Sequence, residues 1–223
     1  MNNLPKILVI GNVGNESHEN SVRNYALQQL PTAQVDIAEI GSGTPSGNIV
    51  TYQASVAACV SYAITNGYDA IVRSYTGLWA NKLEWDTAWV AGILVVHAHG
   101  GNAHTLLTTP PDIWGAAVAC GAGNGSNQCS YGNGLEFYDS PAEVQTPPFA
   151  ESWSTPIVAC KLLQIAIATN CTFREARYIY ARSTASNPSW NQNDGFGIID
   201  VDAAIAYTPV ARRERIIRGR DAA

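Results

Sequence analysis

A chain of 223 residues is long enough to bury one sizeable α/β core and fits one domain more easily than two. Apolar residues make up 46% and charged residues only 14%, which argues against a disordered chain and leaves a surface covered mainly by Asn, Ser, Thr, Gln and Gly. A formal net charge of -5 provides no basic field for a phosphate backbone, so no nucleic-acid partner is expected.

The elements follow in chain order. Ile7 to Ile10 reads as a first strand, Ser21 to Leu30 as a helix ended by Pro31, and Ala33 to Ile40 as a second strand. Gly41 to Gly47 is turn-rich. Val50 to Thr65 has helical spacing and is closed by Asn66 and Gly67, residue types that suit a left-handed cap. Asp69 to Ser74 reads as a strand, Leu83 to Ala91 as a helix, and Ile93 to Ala98 as a buried parallel strand. Shorter strands are expected at Ala116 to Ala119 and Gly134 to Tyr138. Helices are expected at Pro156 to Thr169, Phe173 to Ser183 and Val201 to Tyr207.

Strands alternating with helices predict a three-layer α/β/α sandwich around a mainly parallel sheet. One domain is expected over residues 1–210, followed by a basic tail over 211–223 that holds Arg212, Arg213, Arg215, Arg218 and Arg220. Such sheets carry functional groups beyond the carboxyl ends of their strands. That marks the loops Gly11 to His18, Ser74 to Trp79 and His97 to His104, with Ala150 to Pro156 before the long helix.

Five cysteines (Cys59, Cys120, Cys129, Cys160 and Cys171) show no CxxC spacing. Cys59 and Cys160 lie in apolar helical patterns and read as small buried hydrophobes. Cys120 and Cys129 bracket a Gly/Asn/Ser loop and either pair or stay free. His97, His99 and His104 cluster in sequence, but no neighbouring Asp, Glu or Cys completes a metal set, so neither metal nor cofactor is expected. No stretch of about 18 apolar residues suggests a membrane span, and the N-terminus lacks the charged region, apolar core and cleavage site of a signal peptide.

Glu151-Ser152-Trp153-Ser154-Thr155-Pro156-Ile157-Val158-Ala159 places a serine at a helix start with a proline in the expected first turn. On these residues alone Ser152 reads as a helix cap rather than a nucleophile. The stretch resembles the nucleophile motif of subtilisin-like serine peptidases, Gly-Thr-Ser-x-Ala-x-Pro-x-Val-Ala, with Ala150 and Glu151 in place of Gly-Thr and Ser154 in place of Ala. Ser17-His18-Glu19-Asn20-Ser21-Val22 resembles the histidine motif His-Gly-Thr-x-Val of that family. Asp69-Ala70-Ile71-Val72-Arg73-Ser74-Tyr75-Thr76-Gly77 is similar to its Asp-Val-Ile-Asn-x-Ser-x-Gly segment. Val95-Val96-His97-Ala98-His99-Gly100-Gly101-Asn102 resembles its strand and Ala-Gly-Asn turn, with one extra residue. Gly195-Phe196-Gly197-Ile198-Ile199-Asp200 resembles its closing segment.

The resemblance runs over roughly residues 5–208. It implies an endopeptidase or related acyl hydrolase in which Ser152 is the nucleophile, His18 the base and Asn102 the oxyanion donor. Ser74, Tyr75, Thr76 and Gly77 would pair with an extended peptide or protein substrate, and Trp79, Trp153 and Tyr75 would either wall the cleft or belong to the core. The family's acid falls just after the first strand, where this chain has Gly11 and Asn12, neither of them a carboxylate. Asn12 could orient the imidazole without charge, and Glu16 or Glu19 could substitute. The alternative is a catalytically inactive fold serving as a peptide-binding or structural module. With no evident prodomain, the resemblance implies a cytoplasmic or phage/particle-associated location, and without acidic loop clusters it implies no structural calcium.

Overall fold

A computed structural model describes residues 4–41, 49–75, 82–98, 106–107, 116–120, 131–132, 135–138, 150–186, 189–191 and 195–207. Its main sheet has seven strands in the order β3-β2-β1-β4-β5-β7-β9, every adjacent pair parallel. These are β1 (Lys6–Asn12), β2 (Gln34–Ile40), β3 (Thr51–Gln53), β4 (Ala70–Arg73), β5 (Leu94–Ala98), β7 (Ala116–Cys120) and β9 (Phe137–Tyr138). A separate two-stranded sheet joins β6 (Leu106–Leu107) to β8 (Tyr131–Gly132).

The register explains the two cores. Ile7 lies between Val35 and Ala70, and Ala70 lies beside Leu94, so equivalent side chains line one face across four strands. Ile7, Val9, Val35, Ile37, Val72 and Val96 pack on that face against α1 (Glu16–Gln29), α4 (Ala150–Thr169) and the helical stretch from Phe173 to Thr184. The alternate residues Leu8, Ile10, Ile71 and Val95 pack on the other face against α2 (Val56–Thr65) and α3 (Lys82–Val90), with Trp85 fully buried. Burial on both faces is why these strands read as continuous apolar runs rather than as alternating ones. The three-layer α/β/α arrangement expected from the sequence is the one found.

Several boundaries differ from expectation. The first helix begins at Glu16 rather than Ser21, because Asn15 turns back onto the Asn12 carbonyl (3.2 Å) and two acids, Glu16 and Glu19, occupy the first turn, where the helix dipole favours them. His18 therefore lies on a helix and not in the preceding loop. The segment expected to be helical from Val50 instead gives β3 first, with α2 starting after Ser55, whose hydroxyl accepts the Ala58 N–H at 3.3 Å. Gly67 takes the left-handed cap (φ 66°), whereas Asn66 stays at negative φ. The expected strand from Gly134 narrows to β9.

The long helix starts at Ala150, well before Pro156, so the proline stands inside it rather than in its first turn. Beyond α4, Asn170 is left-handed at φ 50°. The chain then continues as α5 (Phe173–Glu175), a π-helical turn over Ala176–Ala181, and α6 (Arg182–Thr184). A last helix covers residues 201–207, named α7 here. Gly195 has φ 59° and a Cβ there would run into the Glu136 carbonyl, so a side chain is excluded where the closing segment crosses the start of β9. Cys59 and Cys160 are buried free thiols, and burial pushes both up to about 12. Cys129 and the expected basic tail lie outside the described residues.

Because α4 is packed on its buried face with no exposure at Leu162, Leu162→Ala should cost about 2–5 kcal/mol in urea unfolding. Val90→Ala, at a position 87% exposed, should change stability by no more than about 0.5 kcal/mol.

Candidate active site

The chain winds from β1 outward through β2 and β3 and then returns to place β4 on the other side of β1. That reversal puts a topological switch point between β1 and β4, the place where open α/β sheets form sites beyond their strand ends. Gly11 and Asn12 end β1 there, and Ser74 and Tyr75 follow β4. Two helices add their first turns: α1 brings His18 and Glu19, and α4 brings Ser152 and Trp153.

Ser152 and Ser74 are clasped. The Ser152 hydroxyl donates to the Ser74 carbonyl at 3.0 Å, and the Ser74 hydroxyl donates to the Ser152 carbonyl at 3.0 Å. Ser152 is thus not a helix cap: α4 has already begun, and its hydroxyl points to the sheet. Pro156 has a part in this. It has no N–H to offer the carbonyl four residues earlier, which belongs to Ser152, and that oxygen accepts from β4's extension instead.

The His18 ring lies against two aromatic rings, with Tyr75 at 4.9 Å and Trp153 at 5.5 Å between centroids. Trp153 also packs on Tyr25 at 5.2 Å. Tyr75 and Trp153 are both partly buried and flank the imidazole. Tyr75 follows Ser74 and Trp153 follows Ser152, so the rings against His18 belong to the residues next to the two clasped serines. His18 and Ser152 share no hydrogen bond here. The His18 Nδ1 atom is buried without a hydrogen-bond partner and lies 3.9 Å from Glu19 Oε1.

Glu19 is fully buried. Its Oε1 accepts the Asn12 backbone N–H at 3.1 Å and the Tyr75 hydroxyl at 2.5 Å. Burial, reinforced by the Glu19 carboxylate that it bonds, raises the Tyr75 phenol well above its usual range. Beneath the Tyr75 ring lies the Arg73 guanidinium, 4.8 Å from the centroid, which donates to the Ile10 carbonyl and to Asn12 Oδ1, both at 3.0 Å. The Asn12 side chain is thereby turned to Arg73 and makes no hydrogen bond to His18. Burial lowers Arg73, with Tyr75 and Glu19 among the groups opposing that shift.

Asn102, Thr76, Gly77 and Trp79 lie outside the described residues, as do His99 and His104. His97 is buried in β5 with Nδ1 3.0 Å from the Ala98 carbonyl oxygen. Among the described residues, no group of three His, Cys, Asp or Glu side chains is placed to hold a metal ion. Two residues here carry weight that residue types alone did not assign. Arg73 stands at the unspecified position before the serine of the resembled segment, and its charge was the available signal. Pro156 was visible, but its effect depends on where α4 begins.

The architecture defines a class: this is a subtilisin-like fold. Among solved structures, the prenylagaramide maturation protease PagA superposes with a TM-score of 0.68 at 12% identity, covering 92% of this chain and 94% of that one. The patellamide maturation protease PatG gives 0.61 at 10% identity, covering 90% of each chain. A Pseudomonas sedolisin, a serine-carboxyl proteinase, gives 0.57 at 10% identity over 92% of each. No family model and no curated protein matches the sequence. No single helix among the described residues is long and apolar enough to cross a membrane.

Burial, with the Arg177 charge also acting, pushes His97 from 6.5 down to about 4, against the opposing pull of the Ala98 carbonyl. Its neutral form therefore contributes stability that is present above pH 6.5 and lost as pH falls toward 4. Urea unfolding at stepped pH should show wild type weakening through that window, and His97→Gln weakening less.

Proposed function

We propose that this protein is a serine hydrolase acting on peptide bonds in a peptide or protein substrate. The observation that supports this reading is that the His18 ring of α1 lies 4.9 Å from Tyr75 and 5.5 Å from Trp153, the residues that follow the hydrogen-bonded Ser74 and Ser152.

In this reading the Ser152 hydroxyl rotates off the Ser74 carbonyl, gives its proton to His18 and attacks the substrate carbonyl carbon. A tetrahedral oxyanion forms. His18 then returns the proton to the leaving amine, the carbon–nitrogen bond breaks and an acyl-enzyme remains. Water repeats the sequence, with His18 again as base, and releases the acid. Asn102 and the Ser152 backbone N–H are the donors assigned to the oxyanion. Ser74, Tyr75, Thr76 and Gly77 are the residues assigned to pair with an extended substrate, while the Asn12 backbone N–H donates to Glu19. No step calls for a metal or cofactor.

A second reading, a peptide-binding or structural module without turnover, draws on a specific observation: at rest the Ser152 hydroxyl is bonded to a backbone carbonyl and not to His18.

A fluorophosphonate probe separates them. Covalent labelling of Ser152, mapped by peptide mass and lost in Ser152→Ala and His18→Ala, is the expected result. A folded wild-type protein that takes up no probe would leave the binding reading.

A further inference from the structure

Position 11, at the end of β1, has no side chain, yet the space above it is full. A Cβ built on Gly11 would stand 2.6 Å from Glu19 Cδ and would also run into Glu19 Cγ and Oε1. Close packing allows one or the other, a side chain on β1 or the Glu19 carboxylate, in that volume.

We infer that Glu19 supplies, from the first turn of α1, the carboxylate that a subtilisin-like site takes from the end of its first strand, and that it positions His18 through Nδ1. This rests on the hydrolase reading above. Glu19 touches no substrate in this role; it acts through the imidazole.

Three observations support the assignment. First, a fully buried carboxylate is costly unless it is held, and Glu19 is held where such an acid would be: by the N–H of the residue that follows Gly11 and by the Tyr75 hydroxyl, with Arg73 beneath that ring supplying opposite charge. Second, its Oε1 lies 3.9 Å from His18 Nδ1. Third, the atoms left over are complementary: His18 Nδ1 and Glu19 Oε2 are both buried and both lack a hydrogen-bond partner. The terminal torsion of a glutamate is soft, so a modest turn of the carboxylate would let Nδ1–H donate to it. That would fix the tautomer with Nε2 free to take the serine proton and would stabilise the cation that follows.

The test exchanges the acid between its two positions. Glu19→Gln keeps an acceptor for Asn12 and Tyr75 but removes the charge; fluorophosphonate labelling of Ser152 should slow by a factor on the order of 10⁴. Glu19→Asp should restore part of the rate. The double variant Gly11→Asp with Glu19→Gly, which moves the carboxylate to β1, should label faster than Glu19→Gln. A purely structural glutamate would not be rescued in rate by that relocation. Labelling of Glu19→Gln as fast as wild type would overturn the inference while leaving the hydrolase reading standing. An inert wild type would remove the hydrolase reading, and the inference is then decided by ¹⁵N NMR of labelled histidine, assigned with His18→Gln. His18 protonated at Nδ1 in wild type and not in Glu19→Gln upholds the positioning; the same tautomer in both removes it.

Discussion

A parallel sheet that reverses its winding direction leaves an opening at the ends of β1 and β4, and this chain fills it with the first turns of two helices. The constraint that fixes everything else is the burial of α4. Val158, Ala159, Leu162, Leu163, Ile165 and Ala166 all pack into the larger core, which holds the helix against the sheet centre. Each buried leucine or isoleucine contributes about 1.5–3 kcal/mol relative to exposure. With α4 so held, Ser152 has little choice of position. It meets Ser74 because the helix that carries it is pinned further along.

The chain has few charges, and it places several of them inside. Glu19, Arg73, Glu136 and Arg177 are all buried. Each is tied into a network: Glu136 accepts Arg177 at 2.7 Å and Arg182 at 2.9 Å, and the two guanidinium groups lie 4.7 and 4.3 Å from the Tyr178 ring centroid. Near the switch point, Arg73, Tyr75 and Glu19 form the corresponding chain. Buried ionic groups stripped of one partner are strongly destabilising, so such networks restrict which side chains each position accepts. The low charge of the whole sequence therefore says little about the electrostatics of the site.

The sheet was readable because its central strands are short apolar runs bounded by polar turns, and α4 because its apolar pattern is long. The resemblance is what singles out His18 and Ser152 as candidates. Glu19 enters there only beside Glu16, as a carboxylate that could substitute for the missing acid, and its burial was not readable. In sequence it stands in a polar run from Asn15 to Asn20, where a glutamate looks like any exposed residue of a first helical turn. Its burial depends on the missing Cβ of Gly11 and on a hydroxyl from Tyr75, a long-range contact no local pattern encodes. The first turn of α1 is likewise polar and carries no apolar periodicity; the Asn15 turn and the contacts of Glu19 order it. At Val50 the reverse holds: apolar helical spacing runs on through residues that pair with β2 as an edge strand.

Pro156 ties these levels together. A proline at that point takes a rung out of α4's own ladder, and the Ser152 carbonyl accepts from the residue that follows β4. The opening turn of the helix is consequently braced by the sheet as well as by the rest of the helix. Fraying of that turn and separation of α4 from β4 become one cooperative event. Ser152 cannot drift with a loosened helix end, as a residue in an ordinary first turn can; it is either in place or released along with the contact that places it.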